Sequence, residues 1–212
     1  MPGVCRWFLV RHGETEWNRV GRAQGQSDPP LNGTGRTQVR QVAARLAGTE
    51  FVASYTSDLR RALDTARAIV PAPVPELVTL VELREKHFGE WEGLTHREVA
   101  NRYPDLYDRM FLDDPAFAPP GGESDQDFFE RASSAVELIR DRNHRPDGSV
   151  LVVAHGGILR AMIVSLLGME ATAMWRFRLS NAGLSIVTVF GDGSATLDLL
   201  NDTSHLGGDF DA

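Results

Sequence analysis

Short apolar runs alternate with amphipathic segments along most of this chain. Continuous apolar runs bounded by polar loops predict buried strands, and they occur at residues 6–10, 51–56 and 150–154. Apolar residues that recur every three or four positions predict helices, and they occur at residues 35–46, about 58–70, 95–102, 125–142 and 158–167. This alternation of strands with helices is typical of an α/β protein with a mostly parallel sheet.

Local signals refine the ends of these elements. Ser57 is a candidate N-cap for the helix at 58–70. Ser124, followed three residues later by Asp127, resembles the start of a capping box. Segments 184–190 and 195–200 flank the turn sequence GDGS, which predicts an antiparallel hairpin. We therefore expect a three-layer α/β sandwich, with a mixed, mostly parallel central sheet and helices on both faces.

The composition fits one globular domain. The chain has 212 residues, of which 42% are hydrophobic and 24% are charged, and this is an ordinary size and balance for one enzyme-sized core. No internal repeat, linker or low-complexity tract interrupts the pattern. We expect residues 1–212 to form a single domain, with a loose polar tail from about residue 202.

Charge and cysteine content narrow the choice of partners. The net charge of −7 argues against nucleic acid, which requires a broad basic face. A small anion is still compatible, because a few arginines in one pocket can dominate the local field. The one cysteine, Cys5, cannot form an internal disulfide and does not suggest a structural zinc. Without a long apolar stretch or a signal peptide, we expect a cytoplasmic protein with no membrane partner.

Chemically capable side chains follow several of the predicted strands. Arg11 and His12 end the strand at 6–10, and Arg61 lies in the first turn of the helix after the second strand. His155 follows the strand at 150–154. Taken singly, each has an ordinary structural explanation, such as a satisfied loop histidine or a solvated arginine. Because ligand sites in open α/β sheets lie at the carboxyl ends of strands, where helix N-termini favour anions, their joint placement predicts an anion site.

Longer motifs resemble those of one protein family. Residues 11–15 read RHGET, 15–18 TEWN, 24–35 QGQSDPPLNGTG, 57–66 SDLRRALDTA, 83–93 LREKHFGEWEG, 121–124 GGES and 152–160 VVAHGGILR. In content and order they resemble the histidine phosphatase superfamily, the phosphoglycerate-mutase-like proteins, over most of the chain. The resemblance implies that family's fold and its phosphoryl-transfer chemistry on a small phosphorylated metabolite.

The resemblance also implies site roles, residue by residue. His12 matches the nucleophile, which attacks phosphorus as a neutral imidazole and becomes a phosphohistidine. The phosphate pocket is implied by matching residues that can donate hydrogen bonds to phosphate oxygens: Arg11, Asn18, Gln24, Arg61, His155 and Gly156. No metal or other cofactor is implied, because the arginines do the work of magnesium in other phosphoryl-transfer sites.

Glu85 matches the proton donor of the family. It would protonate the leaving alkoxide and then act as the base for the attacking water. Read from the residues alone, Glu85 is an ordinary surface carboxylate. Glu82, Glu90 and Glu92 are competing acids within reach of the same loop.

Three functional interpretations follow from the resemblance. The first is a phosphatase, which passes the phosphoryl group to water. The second is a phosphoglycerate mutase or a sugar bisphosphatase, and the third is a catalytically silent member that binds a phosphorylated ligand. The mutases resembling this protein carry a tyrosine and a lysine where this chain has Phe88, Trp91 and Glu92, and a glutamate there would repel a substrate carboxylate. Their middle segment is also longer than residues 95–120. Both departures favour the phosphatase.

The leaving-group side of the site is less defined. An apolar mouth over the phosphate, or alternatively plain core packing, is predicted for six residues: Trp17, Phe88, Trp91, Tyr107, Met110 and Phe111. Selectivity for an acidic or amino-bearing group is predicted for four others: Arg22, Arg84, Lys86 and Glu123. Of the remaining histidines, His87 is the best placed to touch substrate. The sequence leaves the particular ester open, and it leaves open whether the protein is a monomer or a homodimer.

Overall fold

Six strands form one mixed sheet in the residues that the computed structural model describes, which are 4–70, 76–110, 114–143 and 147–207. In chain order the strands are β1 (Val4–Arg11), β2 (Ala53–Thr56), β3 (Leu77–Thr79), β4 (Asp147–Ala154), β5 (Leu184–Phe190) and β6 (Ala195–Asp202). They lie in the order β3-β2-β4-β1-β5-β6. The first four strands pair in parallel, whereas β5 and β6 are antiparallel. The predicted mixed, mostly parallel sheet with its terminal hairpin is therefore confirmed.

Helices cover both faces of this sheet. In chain order the helices of the described residues are α1 (Glu16–Arg19), α2 (Gly33–Leu46), α3 (Arg60–Ile69), α4 (His96–Arg102), α5 (Pro104–Arg109), α6 (Asp125–Arg142) and α7 (Gly156–Leu166). Successive side chains of β1 point to opposite faces: Trp7 and Leu9 pack with α6 and α7, and Phe8 and Val10 pack with α2 and α3. Because both faces are apolar, β1 reads in the sequence as one continuous apolar run.

The start of α3 differs from the prediction. The helix begins at Arg60, and its N-cap position, Leu59, makes no side-chain capping bond. The Arg60 N–H instead donates to Asp28 Oδ1 at 2.8 Å, while Ser57 Oγ accepts from the Leu59 N–H at 3.3 Å. Ser57 is therefore not the helix cap, because a carboxylate from a distant loop satisfies the first turn. By contrast, Ser124 caps α6 as predicted, accepting from the Asp127 N–H at 3.0 Å.

The carboxyl-terminal segment is more ordered than a loose tail from residue 202. β6 runs to Asp202, and a 3-10 turn, Ser204–Leu206, follows it. Gln41 Nε2 of α2 donates to the Leu206 carbonyl at 3.4 Å, and His205 Nε2 lies 3.0 Å from the Ala182 carbonyl oxygen. The segment through residue 206 therefore packs against the protein through one backbone carbonyl and one side chain.

The segment between β3 and α6 builds a small cap beside the sheet. Its own apolar cluster centres on Trp91, Val99 and Phe117, which are buried. Helices α4 and α5 lie in this cap, and Thr95 begins α4 with a reciprocal capping box to Glu98. No helix in the described part of the chain is both long enough and apolar enough to span a bilayer.

Candidate active site

The carboxyl ends of β1 and β4 place two histidines side by side. β1 and β4 are parallel neighbours, with Arg11 in register with Ala154. His12 follows β1, and its backbone N–H donates to the Ala154 carbonyl at 3.0 Å. The ring centroids of His12 and His155 consequently lie 5.1 Å apart. As the strand-end argument predicted, these residues converge at one edge of the sheet.

His12 is held as a neutral imidazole with one ring nitrogen unprotonated. Its Nδ1 lies 2.7 Å from the Gly13 carbonyl oxygen, and a carbonyl acceptor requires the proton to be on Nδ1. The lone pair is then on Nε2. Burial, followed by the positive charges of Arg61 and Arg11, holds the pKa of His12 well below 6.5. The imidazole is therefore uncharged at neutral pH, as a nucleophile must be.

Arg61 connects the two histidines. Its Nε lies 3.1 Å from His155 Nδ1 and 3.3 Å from His12 Nε2. Its other nitrogens donate to the carbonyls of Ser27 at 2.7 Å and Gly25 at 2.8 Å. Burial lowers the pKa of Arg61 to about 10, opposed by the carboxylates of Glu85 and Asp28. The guanidinium thus remains charged at neutral pH and is fixed in orientation before any ligand arrives.

Glu92 holds the loop that positions Arg61. Its carboxylate accepts from the Gln26 N–H at 2.9 Å and from the Ser27 N–H at 2.8 Å. These bonds set the loop whose carbonyls hold Arg61. The oxygens of Glu92 are thus engaged by backbone N–H groups of this loop, and its repulsion of a substrate carboxylate stays a prediction.

Two buried donors at the same place remain without a protein partner. His155 accepts at Nδ1, so its proton lies on Nε2, and that atom has no partner among the described residues. The same holds for Arg11 Nε, although Arg11 Nη1 donates to the Leu179 carbonyl at 2.6 Å. Burial lowers the pKa of Arg11 to about 10. Unpaired buried donors are costly, so their presence together indicates a ligand with acceptor oxygens.

The amides of Asn18 and Gln24 are fixed in orientation by hydrogen bonds to their oxygens. Asn18 Oδ1 accepts from the Thr15 N–H at 3.1 Å and from Asn181 Nδ2 at 3.2 Å. Gln24 Oε1 accepts from the Thr15 hydroxyl at 2.9 Å. Because both amide oxygens are engaged, the NH₂ groups are left as the donors. Both side chains therefore suit contacts with an anion.

Glu85 binds the first turn of α7, directly after His155. Its Oε2 accepts from the Gly157 N–H at 2.9 Å and its Oε1 from the Ile158 N–H at 3.1 Å. A Cβ at Gly157 would stand 2.3 Å from Glu85 Oε1, so glycine is needed for this approach. α7 begins two residues earlier than predicted, because both glycines of the HGG sequence belong to its first turn.

The competing acids lie elsewhere. Glu90 accepts from the Tyr103 hydroxyl at 2.8 Å in the cap, and Glu92 holds the loop behind Arg61. Among the described residues, the N–H groups at the start of α7 donate to the carboxylate of Glu85 and not to that of Glu82. Of the four candidates, Glu85 is therefore the one whose carboxylate lies on the first turn of α7, directly after His155, in the described residues.

Arg131 is a supporting residue that sequence reasoning missed. From α6 it donates to the carbonyls of Glu82 at 2.7 Å and Arg84 at 2.8 Å, and to that of Glu85 at 3.2 Å. It also forms a bidentate pair with Glu123. These bonds fix the backbone that presents Glu85. Its position on a helix gave no signal, because the partner carbonyls are distant in the sequence.

A cavity of about 950 Å³ lies between the cap, α6 and α7. Four of the predicted mouth residues line it: Phe88, Trp91, Tyr107 and Met110. Trp17 does not line it and packs near Gly93 instead. Phe111 lies outside the described residues. Its lining does not include His12 or His155, but it does include Arg160, which donates to the Gly156 carbonyl, and Lys86.

The four residues expected to add charge selectivity are all engaged within the protein. Arg22 pairs with Glu98 at 2.6 Å and Arg84 with Asp58 at 2.6 Å. Lys86 pairs with Asp125, and Glu123 pairs with Arg131. His87 is also engaged, since its Nε2 lies 3.7 Å from Glu92. The prediction that these side chains select the substrate is therefore not supported, because tertiary ion pairs already use their charges.

The buried histidines make stability depend on pH. Burial first, and then nearby positive charge, holds the pKa values of His12 and His155 well below 6.5. In the unfolded chain each imidazole takes up a proton near pH 6.5, whereas in the folded protein it stays neutral at that pH. The free energy of unfolding therefore has its full value above about pH 7 and decreases as the pH falls through 6.5. Between pH 7.5 and 5.5 we expect the free energy of unfolding to fall by roughly 3 kcal/mol from this pair.

Urea unfolding at the two pH values measures that loss. The double variant His12→Asn/His155→Asn should flatten the pH dependence, whereas His96→Gln, at an exposed position, should leave it unchanged. The explanation fails if the double variant keeps the full slope between pH 7.5 and 5.5.

This sheet topology, with paired histidines and arginines at one edge, is the architecture of a known class. A family model described as the histidine phosphatase superfamily (branch 1) matches residues 7–203. The chain therefore belongs to the histidine phosphatase superfamily, and it is a phosphatase.

Individual relatives resemble the chain over nearly its whole length. It is 38% identical to the metal-independent phosphoserine phosphatase of Arabidopsis thaliana, over 96% of this chain and 84% of that protein. It is 34% identical to phosphoserine phosphatase 1 of Hydrogenobacter thermophilus, over 96% and 95%. The crystal structure of the α-ribazole phosphatase from Shigella flexneri superposes with a TM-score of 0.86 at 31% identity, covering 93% and 96%.

Proposed function

We propose that the chain, as one domain over residues 1–212, is a metal-independent phosphomonoesterase that works through a phosphohistidine on His12. The observation that carries the proposal is the state of the His12 ring. Its Nδ1 is held by the Gly13 carbonyl at 2.7 Å, which leaves the Nε2 lone pair beside Arg61 and 5.1 Å, ring to ring, from His155. A neutral, oriented imidazole among cationic donors suits attack on a phosphate ester.

In the first step, the phosphate dianion would bind to the donors of Arg11, Arg61 and His155, with the amides of Asn18 and Gln24. His12 Nε2 attacks phosphorus, and a P–N bond forms as the ester P–O bond breaks. The leaving alkoxide takes a proton from Glu85. The fixed guanidinium groups stabilise charge on the equatorial oxygens without needing to reorient.

In the second step, water replaces the alcohol. Glu85, now a carboxylate, takes a proton from the attacking water, the P–N bond breaks, and inorganic phosphate and neutral His12 result. Placing one carboxylate on the N-terminus of α7 serves both steps, because the same group lies beside the position of the leaving oxygen and that of the incoming water.

Two considerations support the metal-independent form of this chemistry. Two buried guanidinium groups supply the positive charge that a metal ion supplies in other phosphoryl-transfer sites. The Arabidopsis relative is also described as metal-independent. The substrate class we propose is a small phosphorylated metabolite.

A phosphate-ester panel tests this proposal. Phosphate release from phosphoserine, 3-phosphoglycerate, α-ribazole phosphate and p-nitrophenyl phosphate should proceed with EDTA present, with rates changed by less than about twofold since no metal takes part. The His12→Asn variant is the control for contaminating phosphatase. Loss of activity in EDTA that magnesium restores would contradict the proposal. Dominant mutase activity stimulated by a bisphosphoglycerate primer would favour the mutase instead.

A further inference from the structure

Arg160 is an unusual arginine outside the phosphate pocket. The other partly or fully buried arginines, apart from Arg11, have a carboxylate oxygen within 4.0 Å: Arg22, Arg61, Arg84, Arg131 and Arg140. Arg160 has no such pair in the described part of the chain. It donates instead to two neutral carbonyls, of Gly156 at 3.0 Å and of Phe177 at 3.4 Å. A partly buried guanidinium without a counter-ion is unusual, because burial penalises an uncompensated charge.

The guanidinium is held in a defined orientation. It stacks over the ring of Trp175, with its Cζ 4.7 Å from the ring centroid. Trp175 is itself fixed, because its indole N–H donates to Asp125 Oδ2 at 2.8 Å. Stacking on an aromatic face keeps the edge of the guanidinium available for in-plane hydrogen bonds. The side chain is therefore prepared for an additional ligand.

Arg160 and the candidate site are in contact with the same residue, Gly156. The Gly156 carbonyl holds Arg160, and a Cβ on the same glycine would stand 3.3 Å from Arg11 Nε. The next two N–H groups of α7 hold the carboxylate of Glu85. Arg160 also lines the 950 Å³ cavity. Arg160 therefore lies at the boundary between the cavity and the part of the candidate site where the leaving alcohol would be protonated.

The charges near Arg160 indicate which kind of ligand group would compensate its positive charge. Burial lowers the pKa of Arg160, while Glu85 and then Asp125 raise it without pairing with it. The neighbouring cation Lys86 is unsuitable as an anion receptor because Asp125 already pairs with it. Arg11 and Arg61 are directed to phosphate in the proposed reaction. Arg160 is thus the cation lining the cavity that has no paired carboxylate among the described residues.

We propose that Arg160 binds a carboxylate on the leaving-group part of the substrate and so selects phosphate esters of small hydroxy acids over those of neutral alcohols. This inference rests on the proposed function. A guanidinium matches the two oxygens of a carboxylate in a bidentate pair, which a lysine cannot do.

The test compares 3-phosphoglycerate with glycerol 3-phosphate, which differ only by a carboxylate in place of a hydroxymethyl group. The wild-type chain should favour 3-phosphoglycerate in kcat/KM by at least about tenfold. Arg160→Gln should lower kcat/KM for 3-phosphoglycerate by roughly 10- to 100-fold, as expected for a charged hydrogen-bonded pair, and change that for glycerol 3-phosphate by less than about threefold. Arg160→Lys should retain an intermediate preference. The matched control is Arg176→Gln, which removes an exposed positive charge from the adjacent segment and should change neither value.

Two results would overturn the inference while leaving the proposed function intact. The first is a wild-type enzyme that hydrolyses both esters with equal kcat/KM. The second is a loss in Arg160→Gln that is equal for both substrates, which would mean that Arg160 only supports Trp175 and α7. If Arg160→Gln does not fold, the wild-type ratio and Arg160→Lys decide the question. A wild-type chain that releases phosphate from no ester of the panel would instead refute the proposed function.

Discussion

The variant His12→Asn should lose at least about 10⁴-fold in kcat on every phosphate ester, because it lacks the atom that forms the covalent bond. Asparagine is polar, does not titrate and is smaller than histidine, so the pocket around Arg61 can persist. The measurement is phosphate release under saturating substrate, with thermal unfolding to verify the fold.

His155→Asn is the matched comparison. His155 is equally buried and also bonded to Arg61, but in the proposed mechanism it only donates to phosphate. Its loss should therefore cost roughly 10²- to 10³-fold, as for a donor that stabilises the transition state. If His12→Asn retained more activity than His155→Asn, the nucleophile would have to be sought elsewhere.

The variant Glu85→Gln should separate substrates by their leaving groups. For esters of alkyl alcohols, such as phosphoserine, kcat should fall by about 10²- to 10⁴-fold, because the alkoxide needs a proton. For p-nitrophenyl phosphate the loss should stay within about tenfold, since the phenolate leaves without protonation. Parallel kcat measurements on the two substrates give the ratio directly.

Glu82→Gln is the control for this experiment, since Glu82 belongs to the same loop but places no carboxylate on α7 in the described residues. It should leave both substrates within about twofold of the wild type, as a surface charge change would. An equal loss on alkyl and aryl esters in Glu85→Gln would show that this carboxylate orients α7 and does not transfer the proton.

Much of the fold could be predicted because local sequence determines it. β4 has one apolar residue after another and lies at the centre of the parallel part of the sheet, so its continuous hydrophobic run had one simple interpretation. The helix α6 was predicted with both of its bounds, because its cap, Ser124, is adjacent in sequence. The start of α3 was missed because its first N–H is satisfied by Asp28, 32 residues away.

The same distinction applies to the candidate site. The positions of His12 and His155 could be predicted from strand ends and from family motifs, because both signals are local in the sequence. The role of Glu92 depends on backbone N–H groups 65 or more residues away, at Ser27 and Gln26. The significance of Arg160 depends on which other arginines have partners. Such pairings are tertiary facts, and no local pattern of polar residues encodes them.

Trapping the phosphorylated protein tests the central claim most directly. The enzyme would be mixed with ³²P-labelled phosphoserine or p-nitrophenyl phosphate, quenched in base during turnover and digested, and the labelled peptide would be sequenced by mass spectrometry. The proposed mechanism predicts an acid-labile, base-stable phosphoryl group on residue 12, which His12→Asn does not acquire and His155→Asn does. Label on another residue, or turnover at the full rate with no labelled protein at any time, would contradict it.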